Sequence, residues 1–402
     1  MKKILVTALV FFSLIPSVKG LEIKSEHAVL YNLNDNTVVF EKNSDSDTAI
    51  ASLTKIMTTI VAIENIKDYN EKVTITSEML KGLKEANAWQ TGFYAGQKLT
   101  YDDLLYATFL DSGADAARGL AFSLAGSEEG FVKLMNAKAK ELGLEKTTFT
   151  NPVGLDSKTG QNATVKETAE TLIYALKNEK FKEIFYSDSY TLSTKKVVRS
   201  SMRSNAKSNN QDISYILGGK TGYTDNAERC LASVAKDETN NITYLLVTTN
   251  APSYKKYYYA IEDARNIYTY YFENYKYHNL VDTNDILVTL KTKYAKELEV
   301  SIKAKKDYPL YYENTFDKEK VKLTYEGTEE LVAPLKKGTK LGTVKVSYLD
   351  KEYETIDIVL DNDLKFSLWV FTKTNIGYIL TGILFIIGLV FILRRRKKAK
   401  RK

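Results

Sequence analysis

The sequence predicts an exported α+β domain, then a small all-β domain and one C-terminal membrane-spanning helix. Three observations carry this reading. Strand-like alternation opens and closes a long helical stretch between residues 27 and 274, it returns without helices between 280 and 365, and "IGYILTGILFIIGLVFIL", Ile376–Leu393, holds 18 uncharged residues, enough to cross a hydrocarbon core of roughly 30 Å. The expected divisions are an export signal at 1–20, a first domain at 21–278, a β-rich domain at 279–368, a span at 374–393 and a basic tail at 394–402.

Each element has a local cause. Lys2 and Lys3 precede an apolar run from Ile4 to Ile15, and "PSVKG" offers small residues at Val18 and Gly20 for cleavage, the layout of an export signal. "HAVLYNLNDNTVVFEK" places two apolar runs about an Asn-Asp-Asn turn and reads as a hairpin. "DTAIASLTKIMTTIVAIE" follows, a helix whose Leu53, Ile56, Met57, Ile60, Val61 and Ile63 cover much of its circumference, as a buried helix requires. In "TYDDLLYATFL" Thr100 caps with Asp103 three residues on, and "SEEGFVKLMNAKAKELG" starts at Ser127 and stops at Gly143.

"CLASVAK" and "ITYLLVTTNA" flank "DETNN", a hairpin from about Cys230 to Ala251, and a Tyr-rich helix carrying Tyr257, Ile261, Ala264, Tyr268 and Tyr271 on one face packs back on the sheet. Strands at both ends of a helical stretch give an α+β domain. Beyond it Leu298, Val300, Ile302 and Ala304 alternate with Glu299, Ser301 and Lys303, and "TVKVSY" and "TIDIVL" repeat the pattern, predicting a β spacer or docking module.

The formal charge of +7 divides by segment. The tail "RRRKKAKRK" holds 8 of the 57 Lys and Arg and the signal another 3, leaving 46 against 50 acidic residues, so the exported body is slightly acidic. Nucleic acid is excluded as a partner on this ground. The tail is a topology signal that keeps the C-terminus cytoplasmic and the body outside, with Trp369, Phe371 and Tyr378 as interfacial aromatics. A single cysteine, Cys230, forbids an intramolecular disulfide, and no His/Cys/Asp/Glu spacing predicts a metal or cofactor.

Ser52 and Lys55 stand three residues apart in a chain whose only histidines are His27 and His278. Ser-x-x-Lys alone discriminates nothing, because it also occurs at Ser193, Ser204, Ser233 and Ser253. The first pair alone opens a long apolar helix, where the residues share a face and Lys55 is desolvated. A free lysine titrates at about 10.4 and accepts no proton at neutral pH, so such a base needs burial or a second cation. "ILGGKTGYT" supplies Lys220 and Thr221 on an apolar strand among glycines that let a substrate backbone lie close. Lys158-Thr159-Gly160 repeats the tripeptide within the polar "GLDSKTGQNAT", a loop.

The set "SLTK", "SGA" (Ser112–Ala114) and "KTG" resembles that of the serine penicillin-binding proteins and class A β-lactamases. "ASLTKIMT", "NPVGLD", "GGKTGYT", the β domain with "APLKKGTKLGTV" and the C-terminal anchor are closer to one branch, the low-molecular-mass D-alanyl-D-alanine carboxypeptidases. The resemblance implies a penicillin-binding/β-lactamase-like domain of antiparallel sheet and helices, without cofactor. It implies that Ser52 attacks the penultimate D-alanine carbonyl of a peptidoglycan stem peptide, that Lys55 takes its proton, and that Ser112 passes a proton to the leaving D-alanine. Lys220, Thr221, Gly222 and Tyr223 then bind substrate, Lys220 and Thr221 at its carboxylate, with the N–H groups of Ser52 and Tyr223 as oxyanion hole, and β-lactams acylate the same serine.

Two departures from the resemblance stand out: Ala114, and the segment "VVRSSMRSNAKSNNQD" before the third motif, which lacks the expected spacing. Ala114 stands where the resemblance expects asparagine, which leaves a non-catalytic, membrane-tethered wall-binding protein as an alternative. Asp115 is one candidate to replace the missing amide, and Arg203 is a further candidate contact. A β-lactamase needs a deacylating Glu-x-x-Leu-Asn between the second and third motifs, and none occurs.

Overall fold

The computed structural model describes residues 21–156, 162–254 and 257–399. The expected export signal at 1–20 and the tripeptide Lys158-Thr159-Gly160 lie outside them. The chain divides into two units at Asn274/Tyr275, ahead of the expected boundary at 278. The strand Tyr275–Val281 pairs with Tyr308–Glu313, and this pairing draws the boundary residues into the second unit.

The first unit is built on a five-stranded antiparallel sheet in the order Thr37–Lys42, His27–Asn32, Ile242–Ala251, Glu228–Asp237, Ile216–Thr224. Both predicted hairpins are present, and the first and last strands of the unit meet through His27–Asn32 and Ile242–Ala251. Period-two alternation sends side chains to opposite faces. Leu245 and Val247 join the helical core of Ile56, Ile60, Leu104, Leu120 and Leu172. Tyr244 turns to the closing helix Tyr259–Asn274, its ring 6.1 Å from Tyr271. On that helix Ile261, Ala264, Tyr268 and Tyr271 are fully buried, while Tyr257 precedes it.

Helix ends follow the predicted caps. Thr100 and Asp103 satisfy each other's backbone N–H at the start of Tyr101–Phe109, and Ser127 caps Glu128–Glu141. Ser52 departs from expectation. It lies in a separate 3₁₀ turn, Ala51–Leu53, and the α-helix begins at Thr54 and runs to Asn65.

The second unit packs three small sheets around Leu280, Leu290, Ile302, Leu331, Val344 and Ile358. Its alternation holds at Ile302 and Ala304, both buried, and fails at Leu298, which is 84% exposed. The helix Ile376–Ala399 follows, and its Ile376–Lys397 portion is long and apolar enough to cross a membrane.

Candidate active site

The strand Ile216–Thr224 is an edge of the sheet, so one side of its backbone is open to an extended peptide. Against it lies a cleft of about 770 Å³ lined by Ser52, Lys55, Ser112, Thr221, Gly222 and Tyr223, together with Ala114, Trp89 and Arg229. Lys55 Nζ stands 3.0 Å from Ser52 Oγ, and Lys220 Nζ stands 2.9 Å from Ser112 Oγ. The three motifs, far apart in sequence, therefore meet at one cleft, with Ser52, Lys55 and Ser112 on its wall and Lys220 buried behind Ser112.

The turn that carries Ser52 is held under backbone strain. Ala51 has φ +45°, a conformation that costs a non-glycine residue about 1–3 kcal/mol. What holds it is the loop of "NPVGLD". The Asn151 side-chain oxygen accepts from the N–H groups of Val153, Gly154 and Leu155, closing a tight turn. Gly154 then lies directly beneath Ala51, where an added Cβ would stand 2.0 Å from the Ala51 carbonyl oxygen. The same turn aims Val153 O at Lys55 Nζ, which donates to it at 2.6 Å. At the loop's far end Thr224 donates to Asp156, fastening it to the third-motif strand.

Ser112 has φ +61° and sits just before the helix Ala114–Ala125. Gly113 is needed there, since a Cβ would meet Thr91 Oγ1 at 2.2 Å. Asp115 does not replace the missing asparagine. Fully buried, it accepts from the backbone N–H groups of Thr91, Gly92 and Phe93 at 2.8–2.9 Å and so builds the cleft wall. Ala114 itself is buried against Leu83, Ala117 and Val153. Arg203 is likewise structural: it pairs with Asp188 and donates to the Ile213 and Ile216 carbonyls.

Burial lowers Lys55 to about 7, against the pull of the Asp115 carboxylate. Lys220, also fully buried, is lowered well below an ordinary lysine by desolvation and then by the charge of Lys55, while Asp111 opposes. Both lysines are thus lowered chiefly by desolvation, and the two ammonium charges oppose each other. Lys220 also donates to Thr221 O and is turned toward Ser112, away from the open cleft.

Cleft groups outside the motifs include Ser201 and the two arginines Arg199 and Arg229. Ser201 Oγ lies 2.7 Å from Thr221 Oγ1. The Arg229 guanidinium is clamped between the rings of Tyr223 and Tyr258, 4.6 and 4.7 Å from their centroids, and its Nε has no hydrogen-bond partner among the described residues. On Gly222, a Cβ would stand 3.1 Å from Ser52 N, so the strand passes close to the serine amide because this residue has no side chain. Among the described residues no group of His, Cys, Asp and Glu could hold a metal ion.

Comparison with known proteins agrees with this geometry. A sequence model of the family "D-alanyl-D-alanine carboxypeptidase" matches residues 15–253, and one of the "Penicillin-binding protein 5, C-terminal domain" matches 275–365. The chain is 27% identical to D-alanyl-D-alanine carboxypeptidase DacF of Bacillus subtilis, over 88% of this chain and 90% of that one. It is also 27% identical to D-alanyl-D-alanine carboxypeptidase DacC of Escherichia coli, over 83% and 82%. Penicillin binding protein 5 from Haemophilus influenzae shares the fold with a TM-score of 0.62 at 24% identity, over 87% of this chain and 100% of that one.

Proposed function

The chain belongs to the D-alanyl-D-alanine carboxypeptidase family, and on that premise we propose that Ser52 is its nucleophile, Lys55 the base and Ser112 the carrier of a proton to the leaving group. It is a serine carboxypeptidase of the penicillin-binding type, which releases the terminal D-alanine from peptides ending in D-Ala-D-Ala and is acylated by β-lactams. The observation that carries the assignment is that Ser52, Lys55 and Ser112 line one cleft, with Lys55 at Ser52 and the buried Lys220 behind Ser112.

In this reading one N–H of neutral Lys55 is held by Val153 O, which leaves its lone pair to take the Ser52 proton. Ser52 Oγ bonds to the carbonyl carbon of the penultimate D-alanine. The developing oxyanion is met by the Ser52 and Tyr223 N–H groups. Collapse breaks the peptide bond, the departing amine takes through Ser112 the proton that Lys55 accepted from Ser52, and water later hydrolyses the ester. The hydroxyls of Thr221 and Ser201 and the guanidinium of Arg229 receive the substrate carboxylate, since Lys220 is occupied at Ser112. Both lysine–serine contacts form without an asparagine at position 114, which favours turnover over a non-catalytic tethered role.

Treatment of the full-length protein with benzylpenicillin and intact-mass analysis tests the assignment. One covalent adduct on the peptide containing Ser52 is expected, and an adduct elsewhere sinks it. Acylation rate is also expected to rise with pH through about 7, the value to which Lys55 is lowered, because only the neutral amine accepts the serine proton. Below that value the rate drops roughly tenfold per pH unit. Arg229→Ala is expected to raise KM for a D-Ala-D-Ala peptide roughly 10- to 100-fold, the loss of one charged hydrogen bond, while kcat changes less. Equal loss in kcat alone argues against carboxylate binding.

The helix Ile376–Lys397 anchors the protein in a membrane, with the body outside and the eight basic residues of the tail in the cytoplasm. The body then faces the peptidoglycan that supplies its stem-peptide substrate.

A further inference from the structure

Exposed apolar side chains of the second unit gather where that unit joins its membrane helix. The strands Ile286–Lys293 and Glu330–Val332 run parallel and end together, with Lys293 opposite Val332. Thr292 N donates to Leu298 O, so the turn between them, Lys293–Glu297, projects from this same end. Around it Leu298 is 84% exposed, Leu368 and Trp369 71% each, Val332 49% and Phe366 44%. None of these joins the core of the unit.

The turn is fixed to the start of the anchor. Ser367 N donates to Tyr294 O at 2.8 Å, and the Tyr294 ring packs against Phe371 and Phe366, with centroids 4.9 and 6.3 Å apart. Phe371 lies on the short helix Leu368–Thr374, which only Asn375 separates from the anchor helix Ile376–Ala399. Tyr294 is therefore held within a few residues of the point where the anchor enters the bilayer. Lys293 lies over the Tyr294 ring and Lys373 over the Trp369 ring, and Lys296 is exposed at the tip of the turn, while the exposed Glu297 and Glu299 flank Leu298. Cations beside exposed aromatic and aliphatic groups are the composition of an interfacial surface.

We propose that the turn Lys293–Leu298, with Val332 and the segment Phe366–Trp369, is a membrane-seated foot that inserts Leu298 among phospholipid headgroups and fixes the β unit on the bilayer. The occupant is lipid because the surface is continuous with the chain's own anchor, and the proposal rests on that anchor spanning the membrane. The foot makes the β unit a rigid pedestal in contact with the bilayer, beyond a tether through one helix.

The test uses full-length protein in nanodiscs containing phosphatidylglycerol, labelled with an environment-sensitive fluorophore at one introduced cysteine: Leu298→Cys, Leu349→Cys or Ile387→Cys. Native Cys230 stays unlabelled, because it is fully buried and its thiol is pushed up to about 12 by burial. Leu349 is the control in water. It is 55% exposed at the turn joining strands Lys340–Tyr348 and Lys351–Val359, beside Tyr348, whose ring packs on Tyr312 and Phe316 and on no residue of the foot. Ile387, in the anchor, is the control in lipid.

Blue-shifted emission at 298 that is quenched by headgroup-labelled lipid, with water-like emission at 349, is the expected result. Water-like emission at 298 with lipid-like emission at 387 overturns the foot and leaves the anchor standing. Water-like emission at all three removes the membrane reading and the foot with it.

Discussion

Lys55→Met is expected to slow β-lactam acylation of Ser52 by about 10²–10⁴-fold, the usual contribution of a positioned general base. Methionine nearly matches the length and shape of the lysine stem but accepts no proton. The side chain it replaces is 1% exposed, so no water enters as a substitute base. The fold is expected to persist. Removing a desolvated amine and leaving Val153 O without its donor are effects of opposite sign, each a few kcal/mol at most. The variant should also lose the acid limb near 7, which belongs to Lys55. A linkage effect accompanies this. The folded-state value lies below the unfolded one, so the unfolded chain binds the extra proton between about 7 and 10.5 and wild-type stability rises with pH across that window. Titration of stability by urea unfolding should show a shallower rise in Lys55→Met. Near wild-type acylation in this variant would remove Lys55 from the mechanism.

Gly154→Ala is expected to be nearly as damaging although residue 154 carries no reactive group. Its φ of +84° costs alanine about 1 kcal/mol. Its Cβ would stand 2.0 Å from the Ala51 oxygen and 2.6 Å from the Ala51 carbon, both backbone atoms that no rotamer change moves aside. Either the Asn151–Leu155 turn or the Ala51–Leu53 turn must shift by about an ångström, which separates Ser52 from Lys55 or Lys55 from Val153 O. A displacement of that size costs on the order of 10²-fold in rate, with about 2–4 kcal/mol of stability lost to strain and overpacking. Gly143→Ala separates the two causes. Gly143 also has positive φ, +75°, but nothing lies within 4 Å of its would-be Cβ, so it should lose only the backbone term and keep full acylation.

These two positions mark what the sequence makes legible and what it leaves hidden. Lys55 is legible because its chemistry needs a pattern: a serine one turn away, an apolar helix to desolvate it and a second motif on a strand. The caps at Thr100 and Ser127 are local chemistry in the same sense, and both form as written. The role of Gly154 is not local. "NPVGLD" announces a turn, but its placement beneath Ala51 depends on a contact about 100 residues away in sequence. Arg229 is hidden for the same reason. Nothing in "NAERCLAS" distinguishes it, and its place between Tyr223 and Tyr258 arises only when the sheet pairs Tyr223 with Arg229. Asp115 beside Ala114 invites reading as a replacement, yet three backbone N–H groups already engage its carboxylate. Leu298 fits a strand by alternation, but the chain turns there and the side chain is left outside the core.

The central claim is that Ser52, activated by Lys55, cleaves D-Ala-D-Ala ends. The most direct measurement is release of free D-alanine from a peptide ending in D-Ala-D-Ala by the full-length protein in detergent, beside Ser52→Ala. The account predicts release by the wild type and none by the variant, with both proteins folded by near-ultraviolet circular dichroism. Equal release by the variant would contradict the assignment of Ser52. No release by folded wild-type protein would contradict the carboxypeptidase itself and return Ala114 to the centre as the mark of a tethered, non-catalytic wall-binding protein.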